Sequence, residues 1–97
     1  MFTTNIVRMD KQGRICISSL FDKVPYAVAI LYVIGDTKIQ LIDAEYAPIG
    51  LPSSCIITLD EKNRIVIPKW LRRQFNTTEW CFGVNEKGDK FLFPKKD

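Results

Sequence analysis

The chain has 97 residues, 46% of them apolar, which suffices for one compact domain with its own core and not for two independent ones. Its 14 Lys and Arg stand against 11 Asp and Glu, a balance too mild to argue for nucleic acid by itself. Three cysteines without a histidine fit neither a disulfide framework nor a zinc site, and the longest apolar run, residues 24–34, is too short to span a bilayer. With no charged N-terminal region leading into an apolar stretch, the expectation is a soluble cytoplasmic protein with reduced, buried thiols at Cys16, Cys55 and Cys81. No metal, cofactor or membrane association is expected.

In chain order, the first element is a strand ending in Ile6-Val7-Arg8, followed by the turn Met9-Asp10-Lys11-Gln12-Gly13-Arg14. Asp10 is placed to accept backbone N–H groups of the turn, and Gly13 supplies the positive φ that closes it as a hairpin onto a second strand. Beyond it, Ile15 and Ile17 point to one face and Arg14 and Cys16 to the other, so the isoleucines pack and the arginine leaves from the opposite side. Residues 18–25 predict a helix of one or two turns, capped by Ser18 and stopped by Pro25. A second hairpin joins residues 29–34 to 38–41 through Gly35-Asp36. Residues 44–54, with Pro48, Gly50, Pro52 and two serines, break every periodic pattern and form a linker.

After the linker, residues 59–67 lie over residues 9–17 without a gap: Asp60 falls on Asp10, Arg64 on Arg14, Ile65 and Ile67 on Ile15 and Ile17. Asn63 faces Gly13, and these two residue types adopt a left-handed backbone most readily. Pro68 suits the first turn of a helix that ends at Asn76 and carries Leu71 and Phe75 on one face. A last hairpin joins residues 80–84 to 90–93 through Gly88-Asp89. Each half therefore reads β-β-α-β-β, with repeats at residues 5–43 and 55–95 of a single domain, 1–97. A unit of about 45 residues cannot bury its apolar face alone, so the two halves are expected to pack into a small, mainly β barrel with short helices and a pseudo-two-fold axis. Residues 1–50 hold five basic and five acidic side chains, and residues 51–97 hold nine and six, so the second half carries the whole positive excess.

Ile6-Val7-Arg8 before Asp10-Lys11-Gln12-Gly13-Arg14, and Arg64-Ile65-Val66-Ile67-Pro68 followed by Leu71-Arg72-Arg73, resemble the AbrB, MazE and SpoVT swapped-hairpin family. The MraZ regulators, with two Asp-x-x-x-Arg units in one chain, are the nearest match in organisation. The resemblance covers about 20 residues strongly in the second half and about 12 in the first, with the C-terminal hairpins matching only in pattern. It implies a single-chain pseudo-dimer that binds double-stranded DNA as a transcription regulator in a prokaryotic or archaeal nucleoid. The family's DNA-contacting arginines fall on Arg8 and Arg14 in the first half and on Arg64, Arg72 and Arg73 in the second, with Lys11, Lys62 and Lys69 as weaker members of the same set. Thr58 stands where a counterpart of Arg8 is needed, Asp22 and Lys23 stand where Arg72 and Arg73 would recur, and Ser18 replaces the proline found as Pro68. Such a split implies that the first half keeps the strand arginine and the second the helix pair, so the bound site need not be palindromic.

Plainer readings stand beside these. The arginines are also what any solvated surface presents, whereas guanidinium forks suit phosphate and base-edge contact. Asp10 and Asp60 resemble an acid–base pair only on paper, since each sits where a turn needs its oxygen. Trp70 is expected to cover one end of the barrel, Trp80, Phe91 and Phe93 to pack, and the Lys95-Lys96 pair to be a solvated end. With no histidine, nucleophile motif or phosphate-binding glycine loop, no enzyme is expected. The alternative is a protein-interaction module, antitoxin-like or a barrel that does not bind DNA. RIFT and double-psi barrels arise from similar repeats, and association of pseudo-dimers stays open.

Overall fold

Period-2 alternation of apolar residues builds most of the molecule, a computed structural model that describes residues 3–18, 20–33, 35 and 38–95. Ser19, Ile34, Asp36 and Lys96, which enter the expectations above, lie outside the described residues. The strands are β1 (Thr3–Arg8), β2 (Arg14–Cys16), β3 (Ala27–Val33), β4 (Lys38–Asp43), β5 (Ile56–Thr58), β6 (Arg64–Val66), β7 (Glu79–Val84) and β8 (Lys90–Pro94). One α-helix, α1 (Lys69–Phe75), precedes β7, and two 3-10 turns, Ala44–Tyr46 and Ser53–Cys55, occupy the linker. The fold is mainly β, as the sequence predicts.

Strands β3 and β4 form one antiparallel hairpin and β7 and β8 another, joined side by side where Ile39 faces Leu92 and Leu41 faces Lys90. Strand β1 adds to β7 and β5 adds to β3, giving the order β1-β7-β8-β4-β3-β5. This order is unchanged when read backwards with each strand exchanged for the one four places away. Strands β2 and β6 form a separate antiparallel ribbon, in which Arg14 faces Val66, Ile15 faces Ile65, and Cys16 faces Arg64.

Two expectations need correction here. Strands β1 and β2 flank the same turn but do not pair with each other: β1 runs into the sheet beside β7, and β2 crosses into the ribbon. The turn thus sends its two flanks to different ladders. Nor is the barrel closed by hydrogen bonds among the described residues, since β1 and β5 are the edges of the six-stranded sheet and the ribbon is a ladder of its own.

The ribbon packs onto the sheet through its inward face. Ile15, Ile17, Ile65 and Ile67 are fully buried against Val28, Ile30, Ile39, Leu41, Trp80, Phe82 and Leu92, and each contributes about 1.5–3 kcal/mol by leaving water. Helix α1 closes one side. Pro68 is its N-cap, and its carbonyl accepts the Leu71 and Arg72 N–H groups; Asn76 ends it in a left-handed conformation with φ 47°. Leu71 is fully buried, while Phe75 packs edge-on against Trp80 and Tyr32 at ring separations of 5.1 and 5.9 Å. Trp70 remains half exposed, in a T-shaped contact with Tyr32 at a ring separation of 6.3 Å, so it covers less of that end than expected.

The first half lacks the short helix read from residues 18–25: among the described residues this stretch holds turns and bends. Among the described residues one bond, from the Leu20 N–H to the Ile17 carbonyl, closes a turn there, and one turn by itself does not propagate as a helix. Ser18 turns its hydroxyl to the Cys16 sulfur, 3.3 Å away, instead of capping. The thiols are not buried either. Cys16 is exposed on the outer face of the ribbon, as its alternation with Ile15 and Ile17 requires, and Cys55 and Cys81 are half buried. Trp80 and Phe91 are buried as expected and Phe93 is half buried. Among the described residues no helix is long and apolar enough to cross a membrane.

Candidate nucleic-acid interface

Each Asp turn is held by the same five hydrogen bonds. In the first, the Gln12 and Arg14 N–H groups donate to Asp10 Oδ1 at 2.9 and 2.8 Å, and Arg14 Nε donates to Asp10 Oδ2 at 2.6 Å. The Gly13 N–H donates to the Asp10 carbonyl and the Asp10 N–H to the Arg14 carbonyl, both at 3.0 Å. In the second, the Lys62 and Arg64 N–H groups reach Asp60 Oδ1 at 2.8 and 2.9 Å, Arg64 Nε reaches Asp60 Oδ2 at 2.7 Å, and the two backbone bonds recur at 3.0 and 3.1 Å. Gly13 and Asn63 both take positive φ, 81° and 60°. Asp10, Gly13, Asp60 and Asn63 are therefore the structural turn residues that the sequence indicates.

The arginine at the end of each turn is thereby held by its Nε. The Arg14 backbone N–H, with help from its side chain and the Gln12 N–H, keeps the Asp10 carboxyl below its ordinary value of 3.8 despite partial desolvation. The Arg64 N–H, its side chain and the Lys62 N–H do the same for Asp60. Both carboxylates are charged at neutral pH, and each fixes one edge of a guanidinium whose other nitrogens are left to bind elsewhere. On the outer face of the ribbon, Arg14 and Arg64 are diagonal neighbours, since Arg64 lies two residues before Val66, the partner of Arg14. Each guanidinium is drawn back toward its own turn aspartate, and the two arginines, diagonal neighbours about 7–8 Å apart, share one face. Cys16 and the partly exposed Val66 complete it.

The remaining cations take different positions. Lys11, Lys62, Lys69 and Arg73 are exposed, and their side chains have no partner among the described residues. Arg8, 81% exposed, lies 3.6 Å from Glu79 across the β1–β7 pair, and Lys95 reaches the same carboxylate at 3.8 Å. Arg72 is held inward. A Cβ placed on Gly13 would lie 2.7 Å from its Cζ and Nη1, so the guanidinium is laid flat on the backbone of the first turn. Its Nε is buried with no hydrogen-bond partner among the described residues. This removes Arg72 from the freely exposed set that the sequence suggests.

The backbone explains how a residue of the second half covers a turn of the first. The Ile67 N–H donates to the Gly13 carbonyl at 2.8 Å, which places the start of α1 beside the first turn; reciprocally the Ile17 N–H donates to the Asn63 carbonyl at 2.9 Å. The sequence does not reveal this contact or the part of Glu79, and it marks the last hairpin at Gly88-Asp89 without showing that its turn has the same build as the other two. In that turn Asn85 Oδ1 accepts the Lys87 and Asp89 N–H groups at 3.0 and 2.9 Å, Asn85 Nδ2 donates to Asp89 Oδ2 at 3.2 Å, and Gly88 has φ 85°. The spacing Asn85-x-x-Gly88-Asp89 was a usable signal, being that of Asp10-x-x-Gly13-Arg14. Comparison with known proteins finds no matching family model and no matching curated protein.

Proposed function

We propose that the protein binds duplex DNA through the outer face of the β2–β6 ribbon and the two Asp turns, as a single-chain pseudo-dimer regulating transcription in the AbrB manner. The observation that carries this is the pair Arg14 and Arg64, each gripped at Nε by its own turn and both on the outer face of a two-stranded ribbon, as diagonal neighbours. A ribbon of this kind fits the major groove, and a guanidinium held on one edge reads phosphate or guanine with its other. Lys11, Lys62, Lys69 and Arg73, exposed and without partners among the described residues, add the phosphate contacts that position the duplex. The matching turns and the palindromic strand order support a swapped-hairpin arrangement of two related halves.

A second observation favours protein binding at a different surface. Tyr26 and Tyr46, 85% and 74% exposed, flank a groove lined by Asp43 and Glu45, and such rings suit a protein partner. The readings separate in one titration of a duplex against salt. Binding by about six phosphate contacts loses on the order of a thousandfold in affinity from 50 to 200 mM salt. A flat profile contradicts the DNA reading and leaves the tyrosine groove as the working surface.

A further inference from the structure

The half that follows each ribbon strand covers the turn of the other half, and the two covers differ in charge. Ile67 bonds to Gly13, so the segment that starts there brings Arg72 to the first turn, its guanidinium on Gly13, with Lys69 and Arg73 exposed on the same short helix. Residues 76–79 continue along the same end: the Met9 N–H donates to the Thr78 carbonyl at 2.8 Å, Met9, Arg72, Asn76, Thr77 and Thr78 line one open groove, and Arg8 reaches Glu79. The segment that starts at Ile17 and bonds to Asn63 carries Asp22 and Lys23 where the other carries Arg72 and Arg73. These two line a different groove, with Asp43, Tyr46 and Asp89.

Charge is therefore gathered at one end. The first turn has Arg8, Lys11, Arg14 and Arg72 around Asp10 and Glu79, with Lys69 and Arg73 exposed on the helix that carries Arg72, while the second has Lys62 and Arg64 against Asp60 and Glu61, with Asp22 and Lys23 on the segment that follows Ile17. Arginines that the linear sequence distributes between two halves converge on a single turn because the strands are exchanged. We propose that the protein grips DNA chiefly by its first-turn end, so that one half of the bound site supplies most of the contacts and the chain lies on an asymmetric site in one orientation. This rests on the DNA-binding reading above.

Two double variants that remove equal charge test it: Lys11→Gln/Arg73→Gln at the first turn and the helix beside it, and Lys23→Gln/Lys62→Gln at the second turn and the segment that bonds to it. All four side chains are exposed and lack ion-pair partners among the described residues, so both variants keep the fold, which their unfolding transitions verify. Affinity for a fixed duplex is measured between 50 and 200 mM salt. Loss of two phosphate contacts lowers the log–log salt slope by about 1.8, so the drop in affinity across that range shrinks by roughly tenfold. That change is expected for the first-turn pair, and about half of it for the second, in which only Lys62 is among the proposed contacts. Equal changes overturn the lopsided grip while leaving DNA binding intact. A parent protein with no salt-dependent affinity overturns the DNA reading itself, and this inference with it.

Discussion

At Gly13 two demands meet in one residue. Its φ of 81° is a region that side chains rarely adopt, and the Arg72 guanidinium lies where a Cβ would have to go. Gly13→Ala therefore carries both a backbone penalty and a steric one, together on the order of 1–3 kcal/mol. The two parts separate in a double-mutant cycle with Arg72→Ala. Without the guanidinium only the backbone cost remains, so the double variant is expected to lose less stability than the sum of the singles by about 0.5 kcal/mol or more in urea unfolding. Simple additivity contradicts the contact. The turn role of Gly13 was legible beforehand, since an Asp three residues earlier and an Ile-x-Ile strand after it define the bend. Its contact with Arg72 was not, because it joins opposite halves of the chain, and local pattern carries no information about what folds over a turn.

The five-residue turn is the recurring element, and its third appearance at Asn85 separates architecture from function. Asn85 accepts the same two backbone N–H groups as Asp10 and Asp60, yet its turn ends on Asp89 in place of an arginine. The Asx residue and the positive-φ residue thus belong to turn mechanics, and the arginine is what distinguishes the two turns at the ribbon. Asp10 and Asp60 are more acidic in the native state than their ordinary 3.8, through the backbone N–H groups first and the arginines next. The unfolded chain then binds protons more readily than the native one, so this stabilisation is present above 3.8 and is lost as pH falls below it through the depressed native values. Asp10→Asn/Asp60→Asn keeps the acceptor that Asn85 uses but removes the titration. Its urea midpoint should vary less with pH than the parent's between about pH 5 and 2, and an identical profile contradicts this role. Strand faces were readable from alternation, as the full burial of Ile15, Ile17, Ile65 and Ile67 shows. Strand partners were not: period 2 states which face is wet, not whether β1 lies beside β2 or beside β7. The missing first-half helix has a similar cause, since Ser18 has a competing partner in the Cys16 sulfur.

Over the whole molecule, exchange of strands between halves turns a repeated sequence into an uneven surface. The strand order and the ribbon are unchanged on exchange of the halves, whereas the Arg72 guanidinium lies on the first turn and residues 18–25 carry no arginine to match it at the second. The net charge of +3 does not show how charge is distributed: Asp22, Asp43, Glu45 and Asp89 lie along the grooves at Tyr46. The common ground between the halves is the ribbon, where Arg14 and Arg64 stand as diagonal neighbours, and on it the functional reading rests. The decisive measurement is the affinity of Arg14→Ala/Arg64→Ala for duplex DNA at one fixed salt concentration, beside that of the parent. Each arginine contact contributes about 1–3 kcal/mol, so the double variant, still folded by its unfolding transition, should bind at least tenfold more weakly. Unchanged affinity in a folded double variant would contradict a DNA-binding ribbon.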